Sequence, residues 1–388
     1  MNVAIVGFGN AGGKIADRFL RYEAETARSL CRFVLAVNTA KIDLAKLERI
    51  PESNRLLVGQ TNERVKGRGV GADPDLGATV TRQDRAEIER ALDDLPIHDV
   101  DAFLVIAGLG GGTGSGGAPV LSRRLRETYA EPVYGIGVLP GEDEGGRPAL
   151  NAARSLRSLA DATDNLLLFD NEAWQGAGDT VEGGYERTNS ELVRRFATLF
   201  SAGELDGSVI SEAAVDSSDI RRTLDTGGVS TVAYATADLE PGTRRGLLDR
   251  FRVDGEADAD HATKVYGLVR KAVRSRLTCP ADVSSTERSC IVVSGPPAEL
   301  SRKGLQRARE WVETETGSSE VLAGDDPRED LDHVAAVVVL SNVTTVDRIK
   351  ALQEQGVDAQ SSIEEHEAQR RERIEDLLTD EGNRLDPL

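Results

Sequence analysis

Eight residues, Gly110-Gly111-Gly112-Thr113-Gly114-Ser115-Gly116-Gly117, stand between an apolar stretch at 101–107 and a helical pattern at 117–129. A glycine run between a buried strand and a helix makes a concave array of backbone N–H groups, which suits a phosphate. Thr113 and Ser115 add hydroxyl donors to it. A second loop, Gly7-Phe8-Gly9-Asn10-Ala11-Gly12-Gly13-Lys14, fits G-x-G-x-x-G. There the glycines let the backbone approach a phosphate, and the helix N-terminus supplies free N–H groups and positive dipole. The pattern also fits a dinucleotide fold, which wants an Asp or Glu at the end of its second strand to hold the ribose. The residues at that place are Asn38-Thr39. A P-loop is excluded, because Lys14 is followed by Ile15 and no G-x-x-x-x-G-K-[ST] occurs.

Two other groupings carry chemistry at helical spacing. Tyr185 and Asn189 share one helix face as an i, i+4 pair. One aromatic plane and one amide suit the edge of a purine, but the residues alone favour a core aromatic and a solvated polar residue. Asp216-Ser217-Ser218-Asp219 is either a paired carboxylate or the cap of the helix that opens at Ile220.

The elements that must position these residues alternate. Residues 2–7, 33–38, 55–59, 101–107, 132–139 and 165–169 read as strands or short apolar runs. Helical patterns at 12–29, 81–93, 117–129 and 147–160 separate them, with a Gly/Asp/Pro-rich loop at 67–77. Such βαβ alternation predicts a mostly parallel sheet covered on both faces. A long helix over 184–203 follows, with Leu192, Val193, Phe196, Leu199 and Phe200 on one stripe. A short loop and helix occupy 204–225. Strand candidates at 230–237, 289–294 and 333–341, with helices at 261–276 and 301–314, make a second α/β unit. The last stretch, 345–388, reads as one docked helix and then a mobile acidic tail.

Composition narrows the function. With 388 residues the chain has room for two or three domains. Its net charge of -19, from 66 acidic and 47 basic residues, repels nucleic-acid backbones, so nonspecific nucleic-acid binding is excluded. Only 8 of the basic residues are Lys and 39 are Arg. An acidic, Lys-poor chain suits a cell working in concentrated salt, where a Debye length of roughly 3 Å near 1 M screens the self-repulsion. A GC-rich genome also favours Arg over Lys but leaves the acidic excess unexplained. Cys31, Cys279 and Cys290 read as buried thiols of a reducing compartment, and the four histidines form no metal-ligand spacing. No signal peptide and no apolar stretch of membrane-spanning length is read, so the expectation is a cytoplasmic protein without direct membrane insertion.

The motif G-G-G-T-G-S-G, in this order with the others, resembles the signature of the tubulin/FtsZ superfamily of GTPases over about the first 340 residues. The resemblance implies a nucleotide site made of Gly9, Asn10, Ala11, Gly12, Gly13, Lys14, Asn38, Gly71, Ala72, Gly110, Gly111, Gly112, Thr113, Gly114 and Ser115. Gly67 to Ala72 is similar to the loop that senses the γ-phosphate. In the loop from Pro140 to Arg147, Glu144 takes the ribose role and Arg147 belongs to the same contact. Asn171 reads guanine, Tyr185 stacks on it and Asn189 hydrogen-bonds to it. The acid loop of FtsZ carries N-x-D-x-x-D and inserts into the nucleotide site of the neighbouring subunit, where its carboxylates polarise the attacking water. Asp216 and Asp219 keep the acids, while Ala214 stands at the Asn position. The ribose loop and the acid loop differ from the usual FtsZ wording, and with the salt-adapted composition the chain looks like the haloarchaeal CetZ group, associated with cell shape and motility.

The expectations are therefore an α/β chain with a Rossmann-like GTPase domain over 1–183 and a central helix over 184–203. A catalytic loop and helix follow over 204–225, then a smaller α/β domain with a mixed sheet over 226–344 and a C-terminal helix and acidic tail over 345–388. The implied cofactors are GTP or GDP with Mg²⁺ held through the phosphates and not by protein side chains. The implied partner is a second copy of the chain in a head-to-tail filament, and the acidic tail offers a docking point for a membrane adaptor or another protein. Alternatives are an FtsZ-like division protein, a GTP-bound scaffold without turnover, and a NAD-binding enzyme.

Overall fold

Strands Val3–Phe8 (β1), Ala102–Gly108 (β4), Val133–Leu139 (β5) and Asn165–Asp170 (β6) are buried along nearly their whole length. Strands apolar on both sides belong inside a parallel sheet that helices cover on both faces. The computed structural model, which describes residues 1–26, 28–176, 181–202, 215–239 and 254–378, has that sheet. Helix α1 (Gly9–Thr26) leads to β2 (Cys31–Asn38), α2 (Lys41–Ala45) and β3 (Arg55–Leu57). Helices α3 (Pro74–Gln83) and α4 (Arg85–Ala91) precede β4. Helix α5 (Thr113–Thr128) joins β4 to β5, and α6 (Gly146–Ala160) joins β5 to β6. Then come α7 (Asn171–Trp174), α8 (Val181–Phe200) and α9 (Ser217–Leu224). The second unit runs β7 (Val229–Asp238), α10 (Asp254–Arg274), β8 (Arg288–Gly295), α11 (Arg302–Thr316), β9 (Glu320–Pro327), β10 (His333–Ser341) and α12 (Asp347–Leu378).

The strand order is β3-β2-β1-β4-β5-β6-β7-β10-β8-β9. Strands β1 to β7 pair in parallel, β10 runs antiparallel to β7 and β8, and β8 is parallel to β9. The parallel and the mixed parts are thus one continuous sheet, joined where Leu166 and Leu167 of β6 pair with Val229 and Ser230 of β7. So short a junction needs another tie, and buried Asn165 supplies it. Its Nδ2 donates to the carbonyl oxygens of Leu224 and Gly227 and to Ser341 Oγ at 2.9–3.1 Å. Its Oδ1 accepts from Ser230 Oγ at 2.6 Å. Helices α1, α8 and α9 pack on one face of the sheet. Helices α5, α6, α10, α11 and α12 pack on the other. The stripe Leu192, Val193, Phe196, Leu199 and Phe200 of α8 is fully buried, as its spacing predicts.

Several elements depart from the sequence reading. Strand β9 is missing from it: Glu-Val-Leu-Ala-Gly-Asp-Asp-Pro lies at the sheet edge, where charge and Pro are tolerated. The single helix at 81–93 is two. The first starts inside the supposed loop, where Asp73 Oδ1 accepts from the Leu76 amide at 3.0 Å and Pro74 fills the first position. Helix α5 begins at Thr113, so the second half of the glycine run is helix and not loop. Close packing explains it, since a Cβ on Gly116 would stand 2.0 Å from the Pro74 carbonyl oxygen. Helix α12 carries Glu364, Glu365, Glu367, Glu375 and Asp376 within it rather than in a tail, and residues from 379 onward lie outside the described residues. Residues 203–214, with Ala214, lie outside them too.

Replacing Asn165 by Ala leaves two buried carbonyls and two hydroxyls short of a partner, and we expect a loss of about 2–3 kcal/mol in denaturant unfolding. An unchanged unfolding midpoint would mean that apolar burial alone holds the junction.

Candidate functional site

Strands β1 and β4 are neighbours, yet the helix after β1 covers one face of the sheet and the helix after β4 covers the other. A crevice opens where the chain parts in this way, beyond the carboxyl ends of the strands. Two helix N-termini, those of α1 and α5, converge on it with their free N–H groups and positive dipole ends. The approach is backbone to backbone. Gly9 has φ +75°, and a Cβ there would stand 2.9 Å from the Gly114 nitrogen. A Cβ on Gly12 would stand 2.1 Å from the Ile106 carbonyl oxygen.

The crevice is a cleft of about 470 Å³, within the usual range for a small-molecule site. Gly9, Asn10, Ala11 and Lys14 line it from the first loop, and Gly110, Gly111, Gly112, Thr113 and Gly114 line it from the second. Asn38, Gly71, Ala72, Glu144, Asn171, Tyr185 and Asn189 complete the residues that the sequence reading placed there. Four of its residues do not line it. Gly12 and Gly13 are buried in α1, where Gly12 lets the helix press on β4. Ser115 Oγ turns back to donate to the Gly111 carbonyl oxygen. Arg147 is exposed at the start of α6. The cleft wall also contains Arg68, of the Gly67–Ala72 loop, and Asp43, which no local motif marks. Exposed Lys14 and Arg68 give the cleft its cationic side chains and suit it to an anion.

Side chains fix the phosphate-type loops to each other. Asn38 Oδ1 accepts from the Thr39 and Ala40 amides at 2.7 and 3.1 Å, and its Nδ2 donates to Asp43 Oδ2 at 3.4 Å. Asn38 thus shapes the turn after β2 as well as lining the cleft. Thr39 and Thr113 share a buried hydroxyl–hydroxyl bond of 2.6 Å. Buried Asn151 of α6 reaches two loops at once, donating to the carbonyl oxygens of Ala72 at 3.0 Å and Gly110 at 3.1 Å. Ala72 has φ +58°, a left-handed conformation that costs a non-glycine residue roughly 1–2 kcal/mol. The Asn151 bond is one of the contacts that hold it there. Nothing in the local sequence distinguishes Asn151; its partners are 79 and 41 residues away.

At the other end of the cleft the Tyr185 hydroxyl meets Glu144. Burial first, and then the Glu144 charge and hydrogen bond, push the Tyr185 phenol up to about 12. Glu144 Oε1 also accepts from the Gly141 amide at 2.9 Å, so the turn after β5 is tied to the start of α8. Asn171, the first residue of α7, is 8% exposed.

Asp216 and Asp219 lie elsewhere. They form a reciprocal cap on α9: Asp216 Oδ1 accepts from the Ser218 and Asp219 amides at 2.8 and 3.1 Å, and Asp219 Oδ2 accepts from the Asp216 amide at 3.2 Å. The Ser218 hydroxyl, ahead of other causes, holds the Asp216 carboxyl below the usual carboxylate range. Helix α9 ends against Asn165, the first residue of β6, and its Arg222 carbonyl accepts from Arg288, the first residue of β8. Asn171, in the cleft, follows the last residue of β6. The Asp219 charge also reaches buried Cys290, the third residue of β8, so the acid pair lies toward the amino end of the sheet and the cleft beyond its carboxyl end, with β6, roughly 20 Å long, between them. Among the described residues no group of His, Cys, Asp and Glu has the arrangement of a metal site. No helix among them is long and apolar enough to cross a membrane.

Comparison with known proteins agrees with this geometry. Residues 2–179 match the GTPase domain of the Tubulin/FtsZ family, and residues 178–358 match the C-terminal domain of tubulin-like CetZ. Tubulin-like protein CetZ1 of Haloferax volcanii is 50% identical over 373 residues, covering 94% of each chain. The GDP-bound CetZ1 monomer from Haloferax volcanii superposes with a TM-score of 0.82 at 47% identity, covering 93% of this chain and all of that one. The GTPγS-bound protofilament of CetZ2 from the same organism gives 0.82 at 37% identity, with 94% of this chain and 100% of that chain covered.

Asn151→Ala removes the staple between the loops at 72 and 110. We expect the Gly110–Gly112 amides to exchange hydrogen about tenfold faster, the equivalent of one hydrogen bond. Unchanged exchange would show that the glycine run is rigid without it.

Proposed function

Since the chain belongs to the tubulin-like CetZ family of the tubulin/FtsZ superfamily, we propose that it binds GTP in the cleft and polymerises head to tail. In this reading hydrolysis is completed by Asp216 and Asp219 of the next subunit. One observation carries the proposal: the anion cleft and the acid pair lie at opposite ends of one sheet. Stacking copies along the strand direction brings the acid pair of one copy over the cleft of the next. Related chains have been solved as a GDP-bound monomer and as a GTPγS-bound protofilament.

Phosphoryl transfer asks mainly for positioning and charge stabilisation. Here the N–H groups of the two helix starts cradle the phosphates, and Lys14 and Arg68 add charge. Tyr185, Asn189 and Asn171 take the guanine and Glu144 the ribose. Mg²⁺ would be held through the phosphates rather than by protein side chains and would neutralise part of their charge. Asp216 is ionised well below neutral pH, and its lowered basicity suits it to orienting and polarising water rather than to removing a proton outright. A cytoplasmic place, a role in cell shape and recruitment of an adaptor through the C-terminal segment belong to the same proposal. The dinucleotide alternative falls with the family.

The capping geometry favours a second reading, in which the acids only terminate a helix and the protein is a GTP-bound scaffold. Asn caps as well as Asp does, so Asp216→Asn/Asp219→Asn keeps the helix and removes the charge. We expect this variant to bind GTP and assemble but not hydrolyse it. Mixed with a second variant that is blocked in the cleft by Gly9→Val, it should regain turnover at the mixed contacts. Full activity in the Asn variant alone would leave the acids as a helix cap and contradict our reading, and a wild type that binds GTP without turnover would support the scaffold.

A further inference from the structure

Asp170 ends β6 and directly precedes Asn171 in the cleft wall; it is only 2% exposed. The cation that faces it comes from the far end of the sequence. Arg348, in the first turn of α12, donates through Nε to Asp170 Oδ1 at 3.1 Å. The same guanidinium donates through Nη2 to the carbonyl oxygen of Pro140 at 2.8 Å, and Pro140 lines the cleft. Its Nη1 stands 3.5 Å from Glu142 Oε1 and has no hydrogen-bond partner. The Arg348 side chain is itself 8% exposed.

Stability is a poor reason for such a pair. Desolvating two charges about cancels their attraction, and an apolar pair of the same shape often does as well. Burial pushes the Asp170 carboxyl up, against the pull of Arg348. What a planar guanidinium fork provides is geometry. Its arms hold two segments that form the far wall of the cleft: the end of β6 that leads into Asn171, and the turn after β5 that carries Glu144. A second set of bonds runs between the same segments, with the Glu142 amide donating to Glu172 Oε2 at 2.7 Å and Gln175 Nε2 donating to Asp143 Oδ1 at 3.3 Å. Those bonds are exposed, whereas the Arg348 fork is dry.

We propose that Arg348 is a positioning residue for base recognition. Its fork fixes Asn171 and the Pro140–Glu144 turn relative to one another, so that the cleft tells guanine from other purines. Because Arg348 belongs to α12, docking of the C-terminal helix on α6 is part of nucleotide selectivity. The inference rests on the reading that the cleft takes a guanine nucleotide.

The test is competition binding of GDP, IDP, ADP and GTP to the full chain in molar KCl, for wild type, Arg348→Met and Arg348→Lys. IDP lacks only the exocyclic amine of guanine. We expect the GDP-to-IDP preference to fall about tenfold in both variants, the scale of one hydrogen bond. The ratio of GTP to GDP affinity should change less than the GDP-to-IDP preference, because the phosphate loops are tied by Thr39–Thr113 and by Asn151, bonds in which Arg348 takes no part. Arg348→Lys keeps a cation against Asp170 but cannot span Asp170 and the Pro140 carbonyl together, so it answers the question if Arg348→Met fails to fold. A folded Arg348→Lys with wild-type GDP-to-IDP preference, whatever its melting temperature, overturns the proposal and leaves a structural ion pair. A wild type that does not prefer GDP to ADP overturns the guanine reading instead, and this proposal with it.

Discussion

Two helix N-termini serve one ligand only if their backbones can touch, and in this chain the contact is Gly9 against Gly114. The rest of the site depends on that closeness. With the starts of α1 and α5 side by side, free N–H groups face a single crevice from both faces of the sheet. Side chains at Gly9, Gly12 or Gly116 would push the helices off the strands or off each other. The glycines of the run at 110–117 are therefore divided in purpose: the first three shape the loop, and the later ones let α5 lie against α3 and β1.

The sheet then acts as a spacer. The cleft lies beyond the carboxyl end of its parallel strands and the acid pair lies at the amino end, so the two do not meet within one chain. Helix α8 lies along one face of the sheet. From Tyr185, in the cleft, to its last residue, Phe200, it covers 16 residues, about 24 Å. Its end is gripped from both sides, with Arg328 donating to the Ser201 carbonyl oxygen at 3.0 Å and Arg28 to the Ser201 hydroxyl. Anchored at both ends, α8 is a rigid rod against that face of the sheet.

Much of this was legible in the sequence because it is local. Strand β1, the glycine loops, the apolar stripe of α8 and the Asp216/Asp219 spacing are all patterns within a few residues. The residues that escaped are those whose partners are remote. Asn151 looks like an ordinary polar residue of α6 until it is seen to hold Ala72 and Gly110. Arg348 sits in a polar stretch and shows nothing until Asp170 and Pro140 are brought to it. Strand β9 failed to register because an edge strand tolerates the two Asp and the Pro that argue against a strand. Arg147 and Ser115 were placed in the site by motif, and the structure leaves one exposed to solvent and turns the other back onto the Gly111 carbonyl just before its helix.

A net charge of -19 opposes bringing two copies together, and concentrated salt is what removes that barrier. The central claim is that one chain carries a cleft and an acid pair that cannot act on each other. The most direct test is GTP turnover per subunit with Mg²⁺ in molar KCl across a protein dilution series. The account predicts that turnover per subunit falls toward zero below a threshold concentration, where subunits no longer meet. Constant turnover per subunit down to the most dilute protein would contradict it, because a complete active site would then exist within a single chain.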